Sequence, residues 1–163
     1  MEHSSRAWIA RRLRSLATLE LLNIPLQYVV WFGVIDLPGT APNLAGFALF
    51  ALLLAQGAAY WSAKLRQLPG EPLPAARWFS LARKWNVPVL AGGLVFVLAA
   101  VARDPGATTV AGLVFAVVAV LEYVNYFHLQ LMHDTPADLR YLFTRGLRRS
   151  HLARDLARAA ASR

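Results

Sequence analysis

Four long apolar blocks dominate this chain and limit what it can fold into. They run roughly over residues 16–35, 44–61, 85–103 and 108–129. A bilayer hydrocarbon core of about 30 Å needs about 20 mostly apolar residues in a helix. Backbone amides inside hydrocarbon must pair within their own segment, so such blocks have to be helical. The sequence therefore predicts an all-α, polytopic membrane protein with about four transmembrane helices in a bundle.

Composition supports this class and excludes others. The chain is 57% hydrophobic and 16% charged, whereas soluble domains carry about 25% charged residues. It contains no cysteine, which excludes disulfides, thiolate metal sites and cysteine nucleophiles. The formal net charge of +8 is typical of nucleic-acid-binding proteins, but the positions of the charges favour a membrane topology instead.

Basic residues flank the blocks on one side only. Four arginines precede the first block, five basic residues lie between the second and third, and seven arginines follow the fourth. Of the 17 basic residues, Arg103 alone falls on the other side. The positive-inside rule then places both termini and the middle loop in the cytoplasm. Richness in alanine, arginine and leucine indicates a bacterial genome, and hence the inner (plasma) membrane.

Two domains are predicted: a transmembrane domain over residues 1–133 and a basic cytoplasmic helical tail over residues 134–163. An interfacial helix is expected to lead into the third block, because Trp78, Leu81 and Trp85 share one helical face. Trp8 indicates a similar lead-in to the first block. The tail has two helix starts, at Thr135 and at Ser150.

The arginines of the tail predict a membrane-surface binding site. Leu152 and Leu156 fall on one side of the last helix, with Arg154 and Arg158 on the other. Each basic residue near an anionic leaflet contributes about 1 kcal/mol of attraction. The expected partners are membrane lipids with anionic headgroups, and docking onto a protein is the alternative. Nucleic acid is not expected, because the tail lacks interleaved aromatic residues and any recognised module. The arginines of this predicted site are Arg145, Arg148, Arg149, Arg154 and Arg158.

An intramembrane polar cluster is the second predicted site. Glu20, Asn23 and Gln27 fall on one stripe of the first helix, and Glu122 leads a similar group on the fourth. Both glutamates are expected in the cytoplasmic half of the bilayer. A carboxylate there costs about 2.5 kcal/mol or more, so it should face protein or water and have a partner. The members on the fourth helix are Glu122, Asn125, Tyr126 and His128.

Four roles stay open for this cluster: hydrogen bonds that hold helices together, a partner or lipid site, proton or cation handling, and catalysis. No metal site or cofactor is predicted, because His128 and His133 are five residues apart and point about 140° from each other.

The favoured function is therefore a small membrane interaction or accessory protein, with a protein partner or a homo-oligomer. A small oligomeric transporter or channel that uses Glu20 or Glu122 is the first alternative. The second is an enzyme that acts on a lipid headgroup with Glu122 and a histidine, His128 or His133.

Overall fold

The computed structural model describes residues 2–67, 71, 73–131, 140 and 147–161, with the backbone alone for residues 2–6. These residues form helices and no strand. The elements are α1 (Glu2–Tyr28), a π-helical segment (Val29–Val34), α2 (Ala41–Arg66), α3 (Ala76–Arg103), α4 (Val110–Phe127) and α5 (His151–Ala161). By length and composition, three of them, α2, α3 and α4, can each cross a membrane.

The first apolar block differs most from its prediction. The helix begins at Glu2 rather than near residue 16, because no glycine or proline interrupts residues 2–24. The predicted lead-in and the first block are thus one element. The end of the block adopts the π-helical segment, which is the rarer geometry. Since the block is divided between α1 and this segment, it is not one of the three apolar helices, and the fourth span stays a prediction.

The third block also starts earlier than expected. The predicted interfacial helix is the first part of α3, which runs without a break from Ala76 to Arg103. Ala75, with φ of 61°, turns the chain into this helix. Pro88 lies inside it, as membrane helices tolerate when neighbours pair the freed backbone groups. Helices α2 and α4 fall within a few residues of their predicted bounds.

Helices α2 and α4 form the centre of the body, with α1 packed on α2 and α3 packed on both. Their closest approach is at two glycines. A Cβ atom on Gly46 would lie 2.0 Å from the carbonyl oxygen of Gly112, and one on Gly112 would lie 2.3 Å from that of Pro42. Only glycine permits this crossing, in keeping with the small residues that membrane helices use at their contacts.

The loops at one end are short and tied to each other; we call this the neutral end (residues 35–44 and 103–112). The side chain of Asn43 is completely buried there. It donates to the carbonyl oxygens of Pro38 (2.9 Å) and Ala107 (2.8 Å) and accepts from the amide of Gly112 (2.8 Å). One side chain thus joins both loops to the start of α4.

The opposite end we call the basic end (residues 8–20, 60–66, 76–86, 122–131 and 147–161). The first half of α1, the last turns of α2 and the region after α4 surround a common cavity there. The start of α3 belongs to the same end, because the Tyr123 hydroxyl donates to the carbonyl of Arg83 (3.0 Å). Most of the basic residues that the structure describes lie at this end.

Candidate functional site

The polar stripe of α1 forms a ladder along its own helix. Gln27 donates to Asn23 (3.3 Å) and accepts from the indole of Trp31 (2.8 Å). All three side chains are half-buried. The spacing of four residues places them about one turn apart, so each of these side chains has a hydrogen-bond partner on the neighbouring turn.

Glu20 reaches across to α4. Its carboxylate accepts a hydrogen bond from the hydroxyl of Tyr126, whose ring is buried. Gly57 of α2 makes room for that ring, because a Cβ atom at this position would lie 2.4 Å from the tyrosine oxygen. Three helices therefore meet at one hydrogen bond, and two members of the predicted cluster are in direct contact.

Glu122 is the electrostatic neighbour of Glu20. Its carboxylate accepts from the amide of Asn125 at 3.4 Å, and both glutamates are half-buried. Within the part of the chain that the structure describes, neither carboxylate forms an ion pair with a lysine or arginine. The cluster therefore brings two acidic groups together without a cation beside them.

Other polar side chains of the helical body have partners outside the glutamate pair. Gln56 and Asn86 bond each other reciprocally between α2 and α3, at 3.0 and 2.7 Å. His128 contacts the Tyr123 hydroxyl at 3.2 Å and not Glu122. An acid–base pair of Glu122 with His128 is thus not formed, and His133 lies outside the described residues.

A buried carboxylate at Asp155 was missed by the sequence analysis. Its side chain is 1% exposed and accepts from Tyr60 (2.9 Å), from Lys64 (2.9 and 3.1 Å) and from Arg158. The signal was present in the helical periodicity. Asp155 falls between Leu152 and Leu156 on the buried face of α5, where an acidic residue needs a partner.

Ser150 fixes the start of α5 against α4. Its hydroxyl donates to the carbonyl of Tyr126 (2.5 Å) and accepts from the amide of Ala153 (3.1 Å), as a helix cap does. Its own amide donates to the carbonyl of His128 (3.0 Å), beside an antiparallel bridge between Leu129 and Arg149. The predicted helix start at Ser150 is confirmed, and the apolar face of α5 packs on the body of the protein.

A cavity of about 510 Å³ opens between α1, the end of α2 and the start of α5. Its walls are mostly apolar, which is typical of ligand sites with a few convergent polar groups. The apolar wall comprises Trp8, Ile9, Leu13, Leu16, Trp61 and Leu152. The cationic and titratable groups around it are Arg12, Lys64, Arg148, His151 and Glu20.

Within this cavity Arg12 lies over the ring of Trp8, with 5.6 Å between guanidinium carbon and ring centroid. Arg148 donates from Nε to Gln130 (2.8 Å). Burial lowers the pKa of His151 below its usual value, and the neighbouring Arg154 lowers that pKa further. The imidazole is therefore neutral over a wider pH range than a free histidine.

The predicted tail site is divided by the structure. Arg148 lines the cavity, Arg149 is exposed, Arg154 contacts His151 (3.1 Å) and Arg158 binds Asp155. Arg145 and the predicted helix from Thr135 lie outside the described residues.

Among the described residues, no three histidine, aspartate or glutamate side chains are grouped as a metal site requires. No family model, curated protein or solved structure matches this chain. The polar cluster and the cavity are therefore the features of this chain that bear on its function.

Proposed function

We propose that this chain crosses the bacterial inner membrane four times, with both termini in the cytoplasm. The grouping of the basic residues at one end of the helical body supports this orientation, because basic loops stay cytoplasmic. The first crossing would use the apolar part of α1 and the π-helical segment. Alkaline phosphatase fused after Arg163 is expected to be inactive, and an active fusion would contradict this placement.

Within that membrane we propose an interaction or accessory protein that binds a second membrane protein through its intramembrane polar cluster. The observation that carries the proposal is the pair of half-buried glutamates, Glu20 and Glu122, next to each other without a basic partner in the described chain. Among the described residues, the hydrogen-bond donors to these carboxylates are the Tyr126 hydroxyl and the Asn125 amide, and both are uncharged.

Each of the two carboxylates is only half-buried, so part of it faces outward from the helical body. A charged group on a membrane helix faces protein, a partner charge or water, because contact with hydrocarbon costs several kcal/mol. A partner helix that presents an arginine, lysine or hydrogen-bond donor at this depth would remove that cost. The same carboxylates would give the association its specificity, since a helix without the donor would leave them unpaired.

The test is purification of the intact protein from native membranes in mild detergent, followed by mass spectrometry of the proteins that accompany it. The double variant Glu20→Gln, Glu122→Gln keeps the size of both side chains and removes their charge. We expect it to lose at least nine-tenths of a stoichiometric partner. Glu71→Gln, the same substitution at a single exposed loop residue, should retain the partner. A wild-type protein that purifies alone would overturn the proposal.

A second function, proton or cation coupling, is favoured by one specific observation. Glu20 lines the cavity at the basic end, so a route leads from that end to an intramembrane carboxylate. In proteoliposomes, Glu20→Gln would then abolish a proton-coupled flux that Glu71→Gln leaves intact. Equal fluxes in the two variants would exclude this function.

A further inference from the structure

The cavity at the basic end is lined by both cationic and apolar side chains. Lys64 and Arg148 line it together with Arg12. Arg12 precedes Glu20 by eight residues, which places them about 12 Å apart along α1, and Leu13 and Leu16 lie between them. The wall that α1 contributes is therefore cationic at Arg12 and apolar over the next turn.

We propose that this cavity binds a phosphate-bearing anionic amphiphile, with the phosphate among Arg12, Lys64 and Arg148 and the first methylene groups along Leu13 and Leu16. Guanidinium groups match phosphate oxygens with two parallel hydrogen bonds, which a diffuse basic surface does not provide.

Charge and size both support this occupant. The described lining residues include three with a positive charge and one carboxyl group, that of Glu20, and Lys64 is also paired with the buried Asp155 behind the wall, so positive charge still exceeds negative charge by one. A volume of about 510 Å³ is many times the roughly 30 Å³ that a water molecule occupies. An inorganic phosphate would leave most of this space empty, whereas a headgroup with the start of an acyl chain would fill it. The start of α5 at Ser150 adds the positive end of a helix dipole.

This site differs from a lipid-facing row of arginines, because only some of the basic residues take part in it. Arg12 and Arg148 line the cavity, while Arg11 and Arg66 are exposed and do not. Two double variants with the same loss of charge therefore separate the cavity from general attraction to an anionic leaflet. The inference goes beyond the proposed function, since binding to the purified chain requires no protein partner.

The experiment uses the full chain in a neutral detergent, titrated with dioleoyl-phosphatidylglycerol or dioleoyl-phosphatidylcholine, with bound lipid counted by native mass spectrometry. Phosphatidylglycerol should bind wild type and Arg11→Gln, Arg66→Gln with similar affinity. Arg12→Gln, Arg148→Gln should weaken it roughly 30-fold, which is about 2 kcal/mol. Equal weakening in both variants, or equal binding of the two lipids, would overturn the proposal.

Two further arms complete the test. Glycerol 3-phosphate is titrated in parallel: binding as tight as that of the lipid would support the phosphate site and identify a soluble phosphate ester as its ligand. Leu13→Trp fills the apolar part without changing any charge, and it should abolish phosphatidylglycerol binding. Should the arginine double variant fail to fold, unchanged lipid binding in Leu13→Trp would itself refute the site.

Discussion

The two ends of this molecule are held together in different ways. At the neutral end, Asn43 bonds directly to backbone groups of two short loops, and Gly46 and Gly112 bring α2 and α4 into contact. At the basic end, backbone hydrogen bonds join only the region after α4 to the start of α5. The contact of α5 with α2 is made by long side chains beside a cavity, with Asp155 and Lys64 as the central ion pair.

This difference indicates where the protein can change without losing its fold. The contacts at the neutral end form only when the helices are already aligned. Substitutions there should therefore destabilise the whole helical body. Ion pairs that tie α5 to α2 can break while the long helices stay packed, since local units open at lower cost than the global fold. We therefore expect the neutral end to be structural, and the cavity that we propose as a binding site lies at the basic end.

The largest expected effect is from Gly46→Ala. The new Cβ atom would overlap the backbone of Gly112, which no rotamer change relieves. We expect a loss of about 3 kcal/mol or more in the free energy of unfolding, measured by denaturant titration in mixed micelles. Gly92→Ala, with nothing within 4 Å of its Cβ, should gain about 0.5–1 kcal/mol. Similar stabilities for the two variants would contradict the close crossing.

Asn43→Leu should have the next largest effect. It leaves the carbonyls of Pro38 and Ala107 and the amide of Gly112 without their partner, and we expect a loss of about 2 kcal/mol in the same titration. Asn23→Leu loses one 3.3 Å bond to Gln27 and should cost about 0.6 kcal/mol. If Asn43→Leu and Asn23→Leu lost the same free energy of unfolding, the contacts of Asn43 would not be what holds the neutral end together.

Asp155→Leu should instead release α5 locally. It leaves Lys64 without its buried partner, but Lys64 is 27% exposed, so we expect a cost of about 1–2 kcal/mol for docking of the helix. Hydrogen exchange should rise over residues 151–161 and stay unchanged in α2. Adding Lys64→Met should restore part of the protection, because no unpaired charge is left. Equal loss of hydrogen-exchange protection in α5 and α2 would mean that α5 does not unfold independently of the long helices.

The smallest expected effect concerns pH. Burial, then Arg154, Arg148 and Lys64, lower the pKa of His151, while Asp155 opposes them. The unfolded chain binds this proton near pH 6.5, so docking of α5 should weaken as pH falls from about 6.5 through the lower folded value. Proteolysis of the tail should accelerate in that window for wild type and less for His151→Gln. Identical pH profiles of proteolysis in wild type and His151→Gln would show that the docking of α5 does not depend on His151.

Hydropathy alone predicted an all-helical fold, the bounds of α2 and α4 to within a few residues, and the end of α3 at Arg103. It did not predict that α1 begins at Glu2 or that its end is π-helical. Those features depend on which helix the segment packs against, and the apolar pattern does not encode that.

The sites were predictable only in part. Periodicity placed Glu20 on the polar stripe of α1 and Leu152 on the apolar side of α5. The hydrogen-bond partners of these sites were harder to predict, because Glu20 accepts from Tyr126, and Asp155 from Lys64, across more than 90 residues of sequence. Asn43 directly precedes the second apolar block, and only the fold brings the two loops to it.

The proposed placement of the neutral end and the basic end on opposite sides of the membrane can be tested directly by single-cysteine labelling. The chain has no cysteine of its own. Cysteines are placed at three exposed residues on one side, Ser80 and Ala157 of the basic end and Ala7 directly before it, and at Gly39 and Ala107 of the neutral end. A membrane-impermeant maleimide should label the first three only in inverted vesicles and the last two only in intact cells. Labelling of Ala7 and Gly39 from the same side would show that α1 does not cross, and would contradict the account.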